Sequence, residues 1–320
     1  MMFDPDAQMP RINQGMVYLG ACLIAGIRLA GERLVSLLVG VDSCAGTCPR
    51  RCFWASRIIW WQNRQGHRYA ELEYAPRNGG SGVLCWEEKR MCGRYGLLAD
   101  TQAIAEAFNA ELGEGTDAFA ARPSYNIAPQ TFQPVIRLNE ETGKRELIMM
   151  RWGLVPFWSK DAQIGYNTIN AKAETVATSP AFREAWKRRR LLVPAGWFYE
   201  WRRINEKTKQ PYAISLKDGS LFAFAGLWDK WTDKATGQPL VTFTIITTAP
   251  NELLEPIHNG MPVILAPKDY ERWMAPAEPS HLPVDLLRPY PAEKMKAWKV
   301  SAAVGNVQNN RPELIEPITH

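Results

Sequence analysis

The sequence predicts an α+β fold built on a mainly antiparallel, barrel-like β-sheet with a few flanking helices. Three observations predict it. From residue 91 onward, short runs rich in β-branched and aromatic residues recur between prolines and glycines. Helical periodicity is confined to a few short stretches. Strands and helices do not alternate as the βαβ units of a parallel sheet require.

The elements follow in order. The run from Asp100 to Ala110 has helical spacing, and Asp100 or Thr101 can cap its first turn. Strands are expected at Gln133–Leu138, Glu146–Val155, Leu191–Trp201, Tyr212–Leu216, Leu221–Trp231 and Val241–Ala249. Period-two alternation puts Trp197, Tyr199 and Trp201 on one face of their strand and Phe198 and Glu200 on the other. Helices are expected at Ser179–Arg189 and near Pro250–Pro256 and Pro267–Met274.

Residues 1–90 have a different texture. Helical periodicity runs from Met16 to Val41, and residues 42–69 fit neither template. Five of the six cysteines lie in this part, at Cys22, Cys44, Cys48, Cys52 and Cys85, and only Cys92 follows. Cys44, Cys48 and Cys52 stand at four-residue steps. Zinc and iron–sulfur sites ask for four ligands, often at two-residue gaps, so no metal site is assigned.

With 46% hydrophobic and 22% charged residues, the 320-residue chain is not wholly disordered. A net charge of +5 permits a basic face but does not require one. The most apolar stretch, Met16 to Leu38, is interrupted by Arg28, Glu32 and Arg33, and falls short of the roughly 20 residues a membrane span needs. Asp4 and Asp6 stand where a signal peptide needs positive charge. One cysteine after residue 90 points to a reducing compartment. The expectation is a cytoplasmic monomer with no membrane contact and no cofactor.

Several motifs place one polar group in an apolar frame. They are MCGRY from Met91, RPSYNIAP from Arg122, RWGLVPFW from Arg151, NAKAET from Asn170, PAGWFYEW from Pro194 and IHNGMPV from Ile257. Glu200, set among aromatics, can work as an acid or base near neutrality. Cys92, Asn170, Glu200 and His258 together fit a cysteine hydrolase, in which His activates the thiol, or other thiol chemistry. Their spacing does not separate the two.

The ordered set, with FAFAGLWDKW, TFTIITTAPNELLEPIH, MPVIL and AVGNVQNN, resembles the SRAP family of abasic-site processing proteins from Met91 to about Pro317. The resemblance implies an SRAP-like fold and a domain over residues 91–320. It implies binding of single-stranded DNA and a covalent crosslink to abasic sites through the cysteine that follows the initiator methionine, here Cys92. Asn170, Glu200 and His258 are the implied catalytic partners. Arg94 resembles a phosphate contact of the family, and Lys172 stands where many members have Arg. Asn126, Trp152 and Trp158 are further candidates for lining the DNA strand. Asn259-Gly260 and Ala302 replace an Asp-Arg pair and an Arg common in the family.

The chemistry explains the need for a terminal cysteine. A ring-opened abasic site presents an aldehyde. An α-amine, with a pKa of about 7.7–8.0, condenses with it to an imine. The neighbouring thiol then adds to the imine carbon and closes a thiazolidine. An internal cysteine has an amide nitrogen and cannot begin this sequence. β-Elimination of the 3′ phosphate, an AP-lyase step, is open to the same imine. Two other readings are a peptidase acting mainly on peptides and a single-stranded nucleic-acid binding module without chemistry.

Residues 1–90 are therefore expected to be an extension outside the family domain, either disordered and removed or translated from a start upstream of the true one. Glu87-Glu88-Lys89 is encoded by nine purines whichever codons are used. That run ends one codon before Met91, where a bacterial ribosome-binding site belongs.

Overall fold

The computed structural model describes residues 93–113 and 123–318, and before them only the backbone of short strands between residues 28 and 75. The chain divides into two compact units, Met1–Trp86 and Glu87–His320.

In the first unit, β1 (Arg28–Leu29) pairs antiparallel with β2 (Glu32–Arg33). Strands β3 (Val35–Gly40), β4 (Ala55–Gln62) and β5 (Arg68–Ala75) form an antiparallel sheet in that order. Residues 28–40 thus contribute strands where helical periodicity predicts a helix. Val35 and Val39 are β-branched and favour extended backbone. Residues 16–27 and the cysteines Cys44, Cys48 and Cys52 lie outside the described residues.

The second unit runs β6 (Tyr95–Leu97), α1 (Thr101–Phe108), β7 (Glu111–Leu112), β8 (Ser124–Ile127), β9 (Phe132–Leu138), β10 (Arg145–Trp152) and β11 (Asn170–Lys172). It continues with α2 (Arg183–Arg188), β12 (Arg190–Ala195), β13 (Trp197–Arg203), β14 (Lys209–Leu216), β15 (Phe222–Thr232) and β16 (Pro239–Thr248). The short strands β17 (Met261–Pro262) and β18 (Ile264–Leu265), helix α3 (Tyr270–Met274) and β19 (Met295–Lys299) complete it.

Strands β9, β10, β16, β15 and β12 close a five-stranded barrel. Four of its five seams are antiparallel. The fifth, β10 against β16, is parallel, with Trp152 opposite Phe243. Closure removes the free edges an open sheet would leave. A second sheet, in the order β19-β14-β13-β6-β8, is antiparallel throughout.

Leu191–Trp201, expected as one strand, serves both layers. It is β12 of the barrel up to Ala195 and β13 of the second sheet from Trp197. Gly196 turns the corner, its N–H donating to the Gly96 carbonyl. A side chain at Gly96 would begin 2.1 Å from the Trp197 ring, so glycine is required there.

Alternation then sorts β13. Phe198 joins the main core, where Phe198 and Tyr95 pack on Phe224 of the barrel at 5.9 and 5.8 Å between ring centres. Trp197, Tyr199 and Trp201 pack on the other side with Val300, Val304 and Leu314. Glu200 shares the Phe198 face, toward the barrel.

Helix α1 begins where the sequence places it, with the Asp100 carboxylate accepting from the Ala103 N–H at 2.8 Å, and it ends at Asn109 in a left-handed conformation. Residues 250–256 are a hydrogen-bonded turn, not the expected helix. Leu254 and Glu255 both donate to the Asn251 carbonyl, and Pro256, without an N–H, stops propagation. Among the described residues, no helix is long and apolar enough to cross a membrane.

Candidate active site

Cys92 lies outside the described residues. It is joined directly to Gly93, where the description begins. Strand β6 pairs with β13 in a fixed register, Tyr95 opposite Phe198 and Gly96 opposite Trp197. The Tyr199 N–H donates to the Arg94 carbonyl at 3.0 Å. The chain leading back to Gly93 therefore runs along β13 toward Glu200.

Glu200 is only 2% exposed. A carboxylate so enclosed needs polar partners, because burying charge alone is costly. His258 meets it from the loop after β16, with Nδ1 3.9 Å from Oε2. The same Nδ1 lies 3.4 Å from the Gly260 carbonyl, and both contacts are longer than good hydrogen bonds. Burial, the main cause, holds the His258 imidazole below its ordinary pKa. The Gly260 carbonyl works in the opposite direction, and the Lys209 charge adds to the lowering. The ring is thus neutral near pH 7 and able to accept a proton.

Asn170 opens β11, which pairs with β16, the strand that leads into the His258 loop. Both polar atoms of its amide are buried without a hydrogen-bond partner among the described residues. Unsatisfied buried amides are rare and costly in folded proteins.

The remaining sequence candidates separate into three kinds. Arg94 and Asn126 form a clamp. The Arg94 guanidinium donates to the Asn126 side chain and to the Val304 and Gly305 carbonyls. The Asn126 amide donates to the carbonyls of Val304, Asn306 and Asn309. Burial lowers the Arg94 pKa to about 10, which leaves it charged at neutrality. Asn126 is buried, and its reach is inward, to the 304–309 loop. Trp152 is wholly buried in the barrel, its indole N–H donating to the Ile169 carbonyl at 2.9 Å. A side chain enclosed in this way packs the core and cannot itself face a DNA strand. Lys172 and Trp158 are exposed.

Lys209 and Asp229 escape sequence reasoning. Lys209 lies about fifty residues from the histidine it influences, and only the β13–β14 hairpin brings it near. Asp229 is a buried carboxylate in a strand, where a charge normally marks a solvent face. Among the described residues no cluster of three His, Cys, Asp or Glu is placed to hold a metal ion.

A closed mixed barrel, a second sheet carrying a buried carboxylate, and an imidazole facing it from a loop define an α+β domain of the SRAP type. The chain belongs to that family: the profile of SOS response associated peptidase (SRAP) matches residues 91–307. Abasic site processing protein YoqW of Bacillus subtilis is 46% identical over 230 residues, covering 71% of this chain and 99% of that protein. Abasic site processing protein HMCES of Gallus gallus is 33% identical over 227 residues, covering 62% of this chain and 67% of that protein. A crystal structure of a Bacteroides thetaiotaomicron protein superposes with a TM-score of 0.65 at 28% identity, covering 71% of this chain and all of that one.

Proposed function

We propose that this protein processes abasic sites in single-stranded DNA, with Cys92 as the reacting residue once it carries a free α-amine. The observation that carries the reading is the buried Glu200 facing His258, on the strand that pairs with the residues just after Cys92. The names of the relatives, abasic site processing proteins, point to the same substrate.

The amine attacks the aldehyde of the opened sugar, and loss of water gives an imine. The Cys92 thiol adds to the imine carbon, its proton passes to the nitrogen, and a thiazolidine closes. The net change is one water lost. Glu200 takes and returns protons at the amine. Neutral His258 accepts or returns a proton at the sugar's ring oxygen, in opening and in release. The Asn170 amide hydrogen-bonds the terminus or the sugar, a role supported by its two buried polar atoms that have no partner among the described residues. From the imine, loss of the acidified sugar proton and of the 3′ phosphate would give strand cleavage. The free amine itself requires that the bond before Cys92 be hydrolysed, or that the chain start there.

Mass spectrometry of a chain beginning at Cys92, after incubation with an oligonucleotide holding one abasic site, tests the reading. The expected adduct weighs protein plus oligonucleotide less one water and survives without a reductant. Cys92→Ala keeps the amine but not the thiol, so its imine should be captured only with borohydride. No adduct, or an equally stable one on Cys92→Ala, overturns the mechanism.

A further inference from the structure

A residue that reacts through its own α-amine stands at a chain end, and chain ends are poorly ordered unless something ties them down. Gly93 has no side chain, and a Cβ placed on it would meet nothing within 4 Å. The first side chain after Cys92 that can anchor such an end is therefore that of Arg94. This residue is fixed twice. Its carbonyl accepts the Tyr199 N–H of the site strand at 3.0 Å. Its guanidinium crosses to the 304–309 loop, donating to the Asn126 side-chain oxygen and the Val304 carbonyl at 2.9 Å and to the Gly305 carbonyl at 3.1 Å.

The guanidinium is a half-buried charge held by three neutral oxygens. Burying a charge is costly unless its donors are satisfied, so each of these oxygens matters. Asn126 supplies one of them and orders the others. It is 5% exposed. Its amide nitrogen reaches the carbonyls of Val304, Asn306 and Asn309 at 3.2, 3.1 and 2.9 Å, and the Val304 carbonyl accepts from Arg94 as well. Strand β8 is itself held on both sides of this residue's neighbour. The Tyr125 N–H donates to the Asn310 side chain at 2.7 Å, and the Tyr125 carbonyl accepts the Tyr199 hydroxyl at 2.8 Å. Tyr199 thus grips β6 with its N–H and β8 with its hydroxyl. All of these bonds converge on the residue two places after Cys92.

We propose that Asn126 is a positioning residue for crosslinking: acting through Arg94, it holds the chain end so that the Cys92 amine meets the abasic aldehyde beside Glu200. The inference rests on the reading of Cys92 given above, and the bonds made and broken are those of its imine step. The attacking nitrogen is the first atom of the chain, so the accuracy of the attack is set by whatever holds that end. A misplacement of about 1 Å at a reacting group costs about 10²-fold in rate. A residue that read the DNA strand would turn polar atoms outward, whereas both polar atoms of the Asn126 side chain are engaged inward. The motif around Asn126 thus serves the nucleophile.

The test uses the chain beginning at Cys92 and separates binding from rate. Kd is measured with an undamaged single-stranded oligonucleotide, which has no aldehyde. The crosslinking rate is measured with saturating abasic oligonucleotide, well below each variant's melting midpoint. Asn126→Ala should slow crosslinking about 10²-fold and leave Kd unchanged. Arg94→Lys keeps the charge and the Asn126 bonds to the loop but loses the fork across three oxygens, and should slow the same step. Asn126→Asp keeps an acceptor for Arg94 and loses the donors to the loop. It should recover most of the rate while melting no higher than Asn126→Ala. Glyoxylate, a free aldehyde that needs no docking, should form its thiazolidine with every variant at the wild-type rate. A wild-type crosslinking rate in Asn126→Ala, or rates that simply track melting temperature across the variants, overturns the positioning role. So does a weakened Kd at an unchanged saturated rate, which would make Asn126 a DNA contact, and so does equal slowing with glyoxylate. If Asn126→Ala does not fold, Arg94→Lys decides the question by the same measurements. If the wild-type chain forms no adduct with abasic DNA, the functional reading fails first.

Discussion

At the scale of single residues, the proposed chemistry turns on the buried Glu200 and on a His258 imidazole held below its ordinary pKa by burial. Replacing Glu200 with Gln keeps shape and removes the base. Crosslinking to abasic DNA should slow by about 10²-fold or more, the usual contribution of a positioned proton-transfer group. A wild-type rate in a quenched time course would remove Glu200 from the mechanism. Lys209→Gln probes the imidazole. Losing that nearby charge should raise the His258 pKa, so the acidic limb of the pH–rate profile should move to higher pH. Stability follows the same group. The folded pKa of His258 lies below its unfolded value of about 6.5, so the unfolded chain takes the proton first. Its contribution is whole above that value and is lost as pH falls toward the folded pKa. Melting curves of wild type and His258→Gln between pH 7.5 and 5.5 should show the shallower decline in the variant.

At the scale of elements, the clamp between β6, β8 and the 304–309 loop is the clearest target. Asn126→Ala removes an amide whose two N–H groups reach three loop carbonyls, and with it the acceptor for Arg94. Denaturant unfolding should show a loss of about 2–4 kcal/mol, from roughly 1 kcal/mol per bond and the polar groups left unsatisfied. A loss below about 1 kcal/mol would mean that water replaces the amide. Much of this level is readable from the sequence. Asp100 marks its helix because a cap is local, and the faces of β13 follow from period two. What could not be read depends on distant partners. The parallel seam of the barrel is a choice between β10 and β16, about ninety residues apart. Asn126 and Trp152 stand in motifs that invite a DNA contact, and the inward reach of both is set by the loop carbonyls and barrel wall around them. The turn at 250–256 has helical composition, but Pro256 halts it after one turn.

At the scale of the molecule, the unit from Glu87 onward contains its own closed barrel and its own second sheet, and all its strands find partners within it. A chain beginning at Met91 should therefore fold, with the strand-rich circular dichroism and cooperative melting of a single domain. Once its methionine is removed, its terminal amine should make it competent for the adduct that a chain retaining residues 1–91 cannot form. Failure of that shorter chain to fold would mean that the preceding residues contribute to the domain. The family and the barrel were legible because they rest on motif order. The exposed pair Phe157 and Trp158 is visible in the motif, but the Asp229 carboxylate that accepts from the Phe157 N–H lies about seventy residues away.

The corner at Gly196 carries a further consequence. A single residue separates the last barrel position, Ala195, from the first position of the site-bearing strand, Trp197. The two layers therefore share a frame, much as codons share a reading frame. One inserted residue at this junction that was carried along β13 would turn every side chain to the opposite face. Trp201 would then point toward the barrel, and Glu200 would join the outer cluster with Val300 and Leu314. Substitutions at the corner can be graded by size, but a change of length there converts the site into its own reverse side.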